Sequence, residues 1–193
     1  MEEKEISVEE SLNIMQSMVR RAQNNVSDNG FMFIFWGWLV FITGGIFYAL
    51  MKSGWEYAPV IWGVTMPLGG VFSAIYGYSQ KKKEKVKTYI DDYLGYLWGA
   101  FGISLFITIF MGSKLQGNGY PVIIMLYGIA TFISGGLLKF RPLIIGGFLS
   151  FPISAACFFV PMQEQVIPLC VSLLVSYIIP GHLLQAKFKK HGV

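Results

Sequence analysis

Charge is what this chain has least of: 13% of its residues are Asp, Glu, Lys or Arg, against 54% hydrophobic. A soluble domain carries about 25% charged residues, so an ordinary soluble globular fold is excluded. Cysteine is nearly absent as well. Cys157 and Cys170 both lie in apolar runs, where they read as small buried hydrophobes rather than a disulfide or a metal pair. Ionisable residues, which would carry a proton relay or ion coupling inside a bilayer, are almost missing from the long apolar stretches. Asp91, Asp92 and Glu164 fall where helices are expected to start and read as interfacial residues. The sequence has no His-Glu-x-x-His, no Gly-x-Ser-x-Gly and no glycine loop of the phosphate-cradling kind. An enzyme is therefore disfavoured, and no metal or cofactor is expected. The opening Met1-Glu2-Glu3-Lys4-Glu5 is acidic and lacks the positive start and apolar core of a cleaved leader. Insertion is expected to be driven by the first spanning helix.

What the chain does have is apolar length. Six segments, near Phe31–Met51, Pro59–Tyr78, Tyr93–Met111, Tyr120–Leu138, Pro142–Pro161 and Gln165–Leu184, can each cross about 30 Å of hydrocarbon at about 1.5 Å per residue. They are expected to be helices, because an open strand edge cannot survive in lipid. Before them, Ser7-Val8-Glu9-Glu10 offers a capping box, and Val8, Leu12, Met15, Val19, Ala22 and Val26 then hold one face of a helix. That helix lies in the headgroup plane, packs on a partner helix or caps the protein's own loops. Ser27-Asp28-Asn29-Gly30 ends it with turn chemistry. The expected fold is an all-α polytopic membrane protein: an amphipathic helix and turn over residues 1–29, a six-helix transmembrane domain over 30–185 and a basic tail over 186–193.

Lysine and arginine set the expected orientation. Of the 15 present, only Lys52 and Lys114 fall in the first, third and fifth loops, and the rest lie in the two tails and the second and fourth loops. Both termini are accordingly expected on the cytoplasmic side of the bacterial inner membrane. The densest cluster, Lys81-Lys82-Lys83-Glu84-Lys85-Val86-Lys87, becomes a cytoplasmic loop. Because the basic residues keep to ends and loops, nucleic acid is set aside as a partner. Membrane lipid and a protein docked on the cytoplasmic face are the expected partners, with a homo-oligomer left open. The residues expected to make such contacts are Arg20, Arg21, Lys81, Lys82, Lys83, Lys139, Arg141 and His182.

His182 follows Pro180-Gly181, which are expected to kink or end the helix. It reads either as a pH-sensitive contact or as an interfacial group bonded to backbone freed by the proline. Pro67 and Pro152 are expected to free carbonyls in the second and fifth helices. Glycine pairs at 44–45, 69–70, 135–136 and 146–147 let helices approach closely. Two internal symmetries are visible. Gly37 and Pro59, Gly99 and Pro121, and Gly146 and Pro168 share one spacing, which suggests three parallel hairpins. Trp36 to Gly45 also aligns without gaps on Tyr127 to Gly136, which would relate two oppositely inserted halves, a plan found among secondary transporters.

Several motifs run through the chain: Ser27-Asp28-Asn29-Gly30-Phe31 before Trp36-Gly37-Trp38, Gly95-Tyr96-Leu97-Trp98, Ser134-Gly135-Gly136-Leu137-Leu138-Lys139-Phe140-Arg141-Pro142, and Tyr177-Ile178-Ile179-Pro180-Gly181-His182. With them the chain resembles, over nearly its whole length, a family of uncharacterised six-helix bacterial membrane proteins. That resemblance implies the six-helix plan and assigns no activity, substrate or site. Members look like companions of small winged-helix regulators. A fainter likeness, to HdeD-type acid-resistance membrane proteins, is one of fold alone.

Overall fold

The computed structural model describes residues 29–81 and 89–191, which form helices and turns with no strand among them. The helices are α1 (Asn29–Lys52), α2 (Val60–Lys81), α3 (Tyr89–Phe110), α4 (Gly119–Leu137) and α5 (Arg141–Cys157). After a short 3-10 turn (Met162–Glu164) come α6 (Val166–Leu173) and α7 (Ile179–His191), joined by a π turn (Leu174–Ile178). Five stretches are long and apolar enough to cross a bilayer: Gly30–Lys52, Val60–Ser79, Asp92–Phe110, Gly119–Leu137 and the continuous Met162–Lys187. The fifth expected span is shorter. Its helix has 17 residues, about 25 Å at the usual helical rise, because the chain tightens at Phe159 and Val160, whose amides bond to Ala156 O and Cys157 O at 3.1 Å, and then meets Pro161. The expected amphipathic helix with Arg20 and Arg21 lies outside the described residues, as do Lys82 and Lys83. The stretch expected to be a basic tail is helical as far as His191.

Glycine decides how the bundle closes. Along α1, Gly30 faces Leu184, Gly37 faces Tyr177 and Ile178, and Gly44 faces Val166 and Cys170. The first helix and the α6–α7 rod are thus antiparallel over their whole length. α2 returns along the other side of α1: Phe31 meets Tyr76 at 5.2 Å between ring centroids, and Trp36 Nε1 donates to Ser73 Oγ at 2.9 Å. The α4–α5 hairpin is the tightest pair, with Gly128 against Ser150, Gly135 against Leu143 and Ile144, and Gly147 against Phe132. α5 then lays Gly146 against Val175 and Ser176 of the π turn. Ile124, Leu143, Leu173 and Leu184 fill the space between these helices and are fully buried.

α2 and α3 stand apart from this core. α2 packs on α1 and α3 packs on α4, while the two share no packed interface. Val64, Leu68, Val71 and Ile75 of α2, and Ile103, Phe106, Ile107 and Phe110 of α3, are exposed. Apolar surface of this extent suits a lipid solvent rather than water. Pro67 and Pro152 also sit on exposed faces, so any carbonyls they free lie on the outside of the bundle.

Pro180 does not end the helix, which runs on to His191. The π turn before it absorbs the missing amide: Ile179 N–H bonds to Leu174 O, and Pro180 has no N–H to offer. Val175 O is left with no amide donor along its own helix, and this is the oxygen pressed against Gly146. Only a glycine Cα–H can approach it there, as a weak C–H···O contact. Gly99, the counterpart of Gly37 and Gly146 in the three-hairpin repeat, faces open space; those two both pack on the π turn, so the three units are not equivalent in packing.

Candidate functional site

The alternation of helices brings Asn29, Lys81, Tyr89, the α4–α5 turn and the end of α7 to one end of the bundle. At the opposite end, Glu164 accepts from Lys52 Nζ at 2.6 Å and from Tyr48 OH at 2.7 Å. Glu164 is thus a clasp between α1 and the 3-10 turn. Lys114 lies in the α3–α4 connection at that same end, where Gly117 meets Met162. Asp91 and Asp92 stand in the first turn of α3, where the helix dipole favours negative charge.

The basic end is best defined at the α4–α5 turn. α4 closes with a Schellman arrangement: Phe140 N–H bonds to Gly135 O at 2.9 Å and Lys139 N–H to Gly136 O at 3.2 Å. The residue between helix and turn must then be left-handed, a position usually given to glycine. Here it is Lys139, with φ of 50°. Phe140 follows as the buried anchor of the turn, 7% exposed. Arg141 and Pro142 open α5, which has neither a side-chain cap nor an acidic residue in its first turn. Lys187 of α7 places its Nζ 5.5 Å from the centroid of the Phe140 ring. Lys139, Arg141 and Lys187 are exposed, and Lys139 and Arg141 form no ion pair with another described residue.

His182 belongs to the same end but faces outward. Its Nε2 accepts from Trp38 Nε1 at 3.3 Å, so its partner is an indole on α1 rather than backbone released by Pro180. Each residue of Trp36-Gly37-Trp38 thereby has its own contact: Ser73 of α2, the π turn, and His182 of α7. Lys81 ends α2; Arg20, Arg21, Lys82 and Lys83 are outside the described residues.

A feature not anticipated from the sequence is a seam of hydroxyls in the bundle interior. Ser172 donates to Ser150 Oγ at 2.9 Å, Ser176 to Ser172 O at 2.7 Å and Ser154 to Pro121 O at 2.8 Å. Thr131 Oγ1, Ser134 Oγ and Tyr177 OH are buried beside this seam without a well-aligned hydrogen bond, and the hydroxyls of Thr131 and Tyr177 lie close to each other. Its signal was present as Ser150 and Ser154, and Ser172 and Ser176, each pair four apart and so on one helix face. Hydrogen bonds of this kind add modestly to helix association in lipid, about 0.6 kcal/mol each. Comparison with protein-family models, with curated proteins and with solved structures finds no match.

Proposed function

We propose that this is a non-enzymatic, six-span membrane protein, seated in a bacterial inner membrane with both termini in the cytoplasm, whose basic end docks anionic lipid or a protein partner. The observation that carries the reading is the gathering of Lys81, Lys139, Arg141 and Lys187 at one end of the bundle, while at the other end Lys52 is tied to Glu164. Juxtamembrane cations attract anionic lipid by about 1 kcal/mol each. α5 serves as the sixth span in this reading, its shorter hydrocarbon reach met by local thinning of the bilayer. Membership of the six-helix family suggested by the motifs belongs to the same proposal. Removing residues 1–26 is expected to lower capture of anionic lipid or partner at least tenfold while membrane insertion is unchanged. Native mass spectrometry of protein extracted in mild detergent measures this; unchanged capture would remove the N-terminal segment from the docking surface, and a full-length protein that captures neither anionic lipid nor partner would sink the reading.

A second reading, a small-solute transporter or channel of inverted three-helix halves, draws on one pattern. α1 packs on α2 and α6, as α4 packs on α5 and α3. Gly44 and Gly135 are both packed, while Gly45 and Gly136 both face open space. The relation breaks most clearly at α5, which packs against the π turn and α6, whereas their counterparts α2 and α3 are apart. An alternating-access cycle would have α2 and α3 meet. With Cys157 and Cys170 replaced by alanine, cysteines introduced at Gly70 and Gly99 are expected to cross-link with a short bifunctional reagent if the halves exchange. Absence of any cross-link, in every lipid and ion condition tried, removes this alternative.

A further inference from the structure

We infer that the α4–α5 turn is a lipid-phosphate site, in which Lys139, Arg141 and Lys187 around the buried ring of Phe140 hold the phosphodiester of an anionic phospholipid headgroup. The inference rests on the proposed lipid-docking reading and gives it a location.

The first argument is electrostatic. α5 begins at Arg141 with its positive dipole end, carries no acidic residue in its first turn and lacks a side-chain cap. Arg141 adds like charge to that end, and Lys139, at the close of α4, brings a second cation beside it. An anion relieves all three at once, and a phosphate also takes paired hydrogen bonds from the planar arginine fork.

The second argument concerns the choice of residue. The Schellman position favours glycine, because a Cβ is strained at positive φ. A chain with 22 glycines sets lysine there instead, at φ 50°. Lys139 and Arg141 flank Phe140 in the chain, and both are exposed. Lys187 reaches the same ring from α7.

Position selects the source of the phosphate. The turn lies at the end of two apolar helices and only Leu138–Phe140 separate them, so the cations are held at the level where lipid headgroups begin.

The test uses the full-length protein in mild detergent, with phosphatidylglycerol, phosphatidylcholine and inorganic phosphate as probes and native mass spectrometry as the readout. Wild type is expected to retain phosphatidylglycerol in preference to phosphatidylcholine. Lys139→Gly and Arg141→Gln should each weaken that retention about fivefold, and the pair about 25-fold. Lys114→Gln, at the opposite end, should leave it unchanged. Because glycine is the easier residue at position 139, Lys139→Gly should lose lipid while unfolding no more readily than wild type, which separates binding from damage to the fold. Undiminished retention by the double variant overturns this site while leaving the lipid-docking reading intact. A wild type with no preference for phosphatidylglycerol overturns both. Competition by millimolar inorganic phosphate as strong as by the lipid would assign the turn to a soluble phosphate and overturn the lipid assignment.

Discussion

Gly146→Val is expected to remove folded protein from the membrane almost completely. A side chain at this position enters Val175 O and the Ser176 Cα, which are backbone atoms of a neighbouring helix and cannot rotate aside. Overpacking of a filled core usually costs about 1–3 kcal/mol and sometimes more; with rigid backbone as the obstacle, the loss should reach about 3 kcal/mol or beyond, a large part of the about 5–15 kcal/mol that holds a typical domain together. The comparison that makes this specific is Gly99→Ala. Nothing lies within 4 Å of a Cβ built there, and replacing a mid-helix glycine by alanine favours the helix by about 0.5–1 kcal/mol. Detergent unfolding curves and the yield of monodisperse protein should therefore move in opposite directions for the two variants. Equal behaviour would mean that α5 does not seat on the π turn as described.

Tyr177 should show the second large effect, divided between its ring and its hydroxyl. The ring lies 5.5 Å from Phe33, 6.2 Å from Trp98 and 5.1 Å from Tyr127, centroid to centroid, and so joins α1, α3 and α4 to the π turn. Tyr177→Ala is expected to cost about 3–5 kcal/mol, the usual range for a buried aromatic residue cut to alanine. Tyr177→Phe keeps those contacts and deletes a buried hydroxyl whose polar neighbour Thr131 is not in good hydrogen-bond geometry. Removing an unsatisfied polar group without changing shape is neutral or stabilising by up to about 1 kcal/mol. The same unfolding measurement reads both variants. A Phe variant clearly less stable than wild type would show that the hydroxyl is satisfied, by Thr131 or by a bound group.

Much of the architecture was legible in the sequence because a bilayer imposes one dominant rule, that apolar stretches be helical and long. The boundaries of α1 and α4 fall within two residues of where hydropathy alone places them. The gathering of basic residues at one end also follows from their spacing, since alternating helices return every second loop to the same side. What hydropathy could not reveal is pairing. Nothing in the composition of α2 says that it rests on α1 and ignores α3, because lipid and a neighbouring helix are equally good apolar surroundings. The continuation of the last helix through Pro180 was hidden for a related reason. A π turn costs one residue of register and leaves no mark in residue type. At the candidate site, Lys139 and Arg141 were visible as charge, but the left-handed backbone at Lys139 and the approach of Lys187 to Phe140 depend on a turn and a tertiary contact with no local signal. His182 was visible as the residue beside Pro180, whereas its partner Trp38 lies 144 positions away.

That long-range pairing of α1 with the α6–α7 rod also bears on how the protein is made. The glycine face of α1, Gly30, Gly37 and Gly44, fits against α6, the π turn and α7, with four helices between them in the chain, and its far tip at Tyr48 and Lys52 is held by Glu164. During synthesis α1 therefore waits in the membrane with its closest-fitting surface uncovered until α6 and α7 arrive. A chain that stops before Val166 still contains four stretches apolar enough to span, yet it lacks the strut that locks the first of them. Arrival of the α6–α7 rod, rather than insertion of the individual helices, is the step at which this bundle becomes a finished fold.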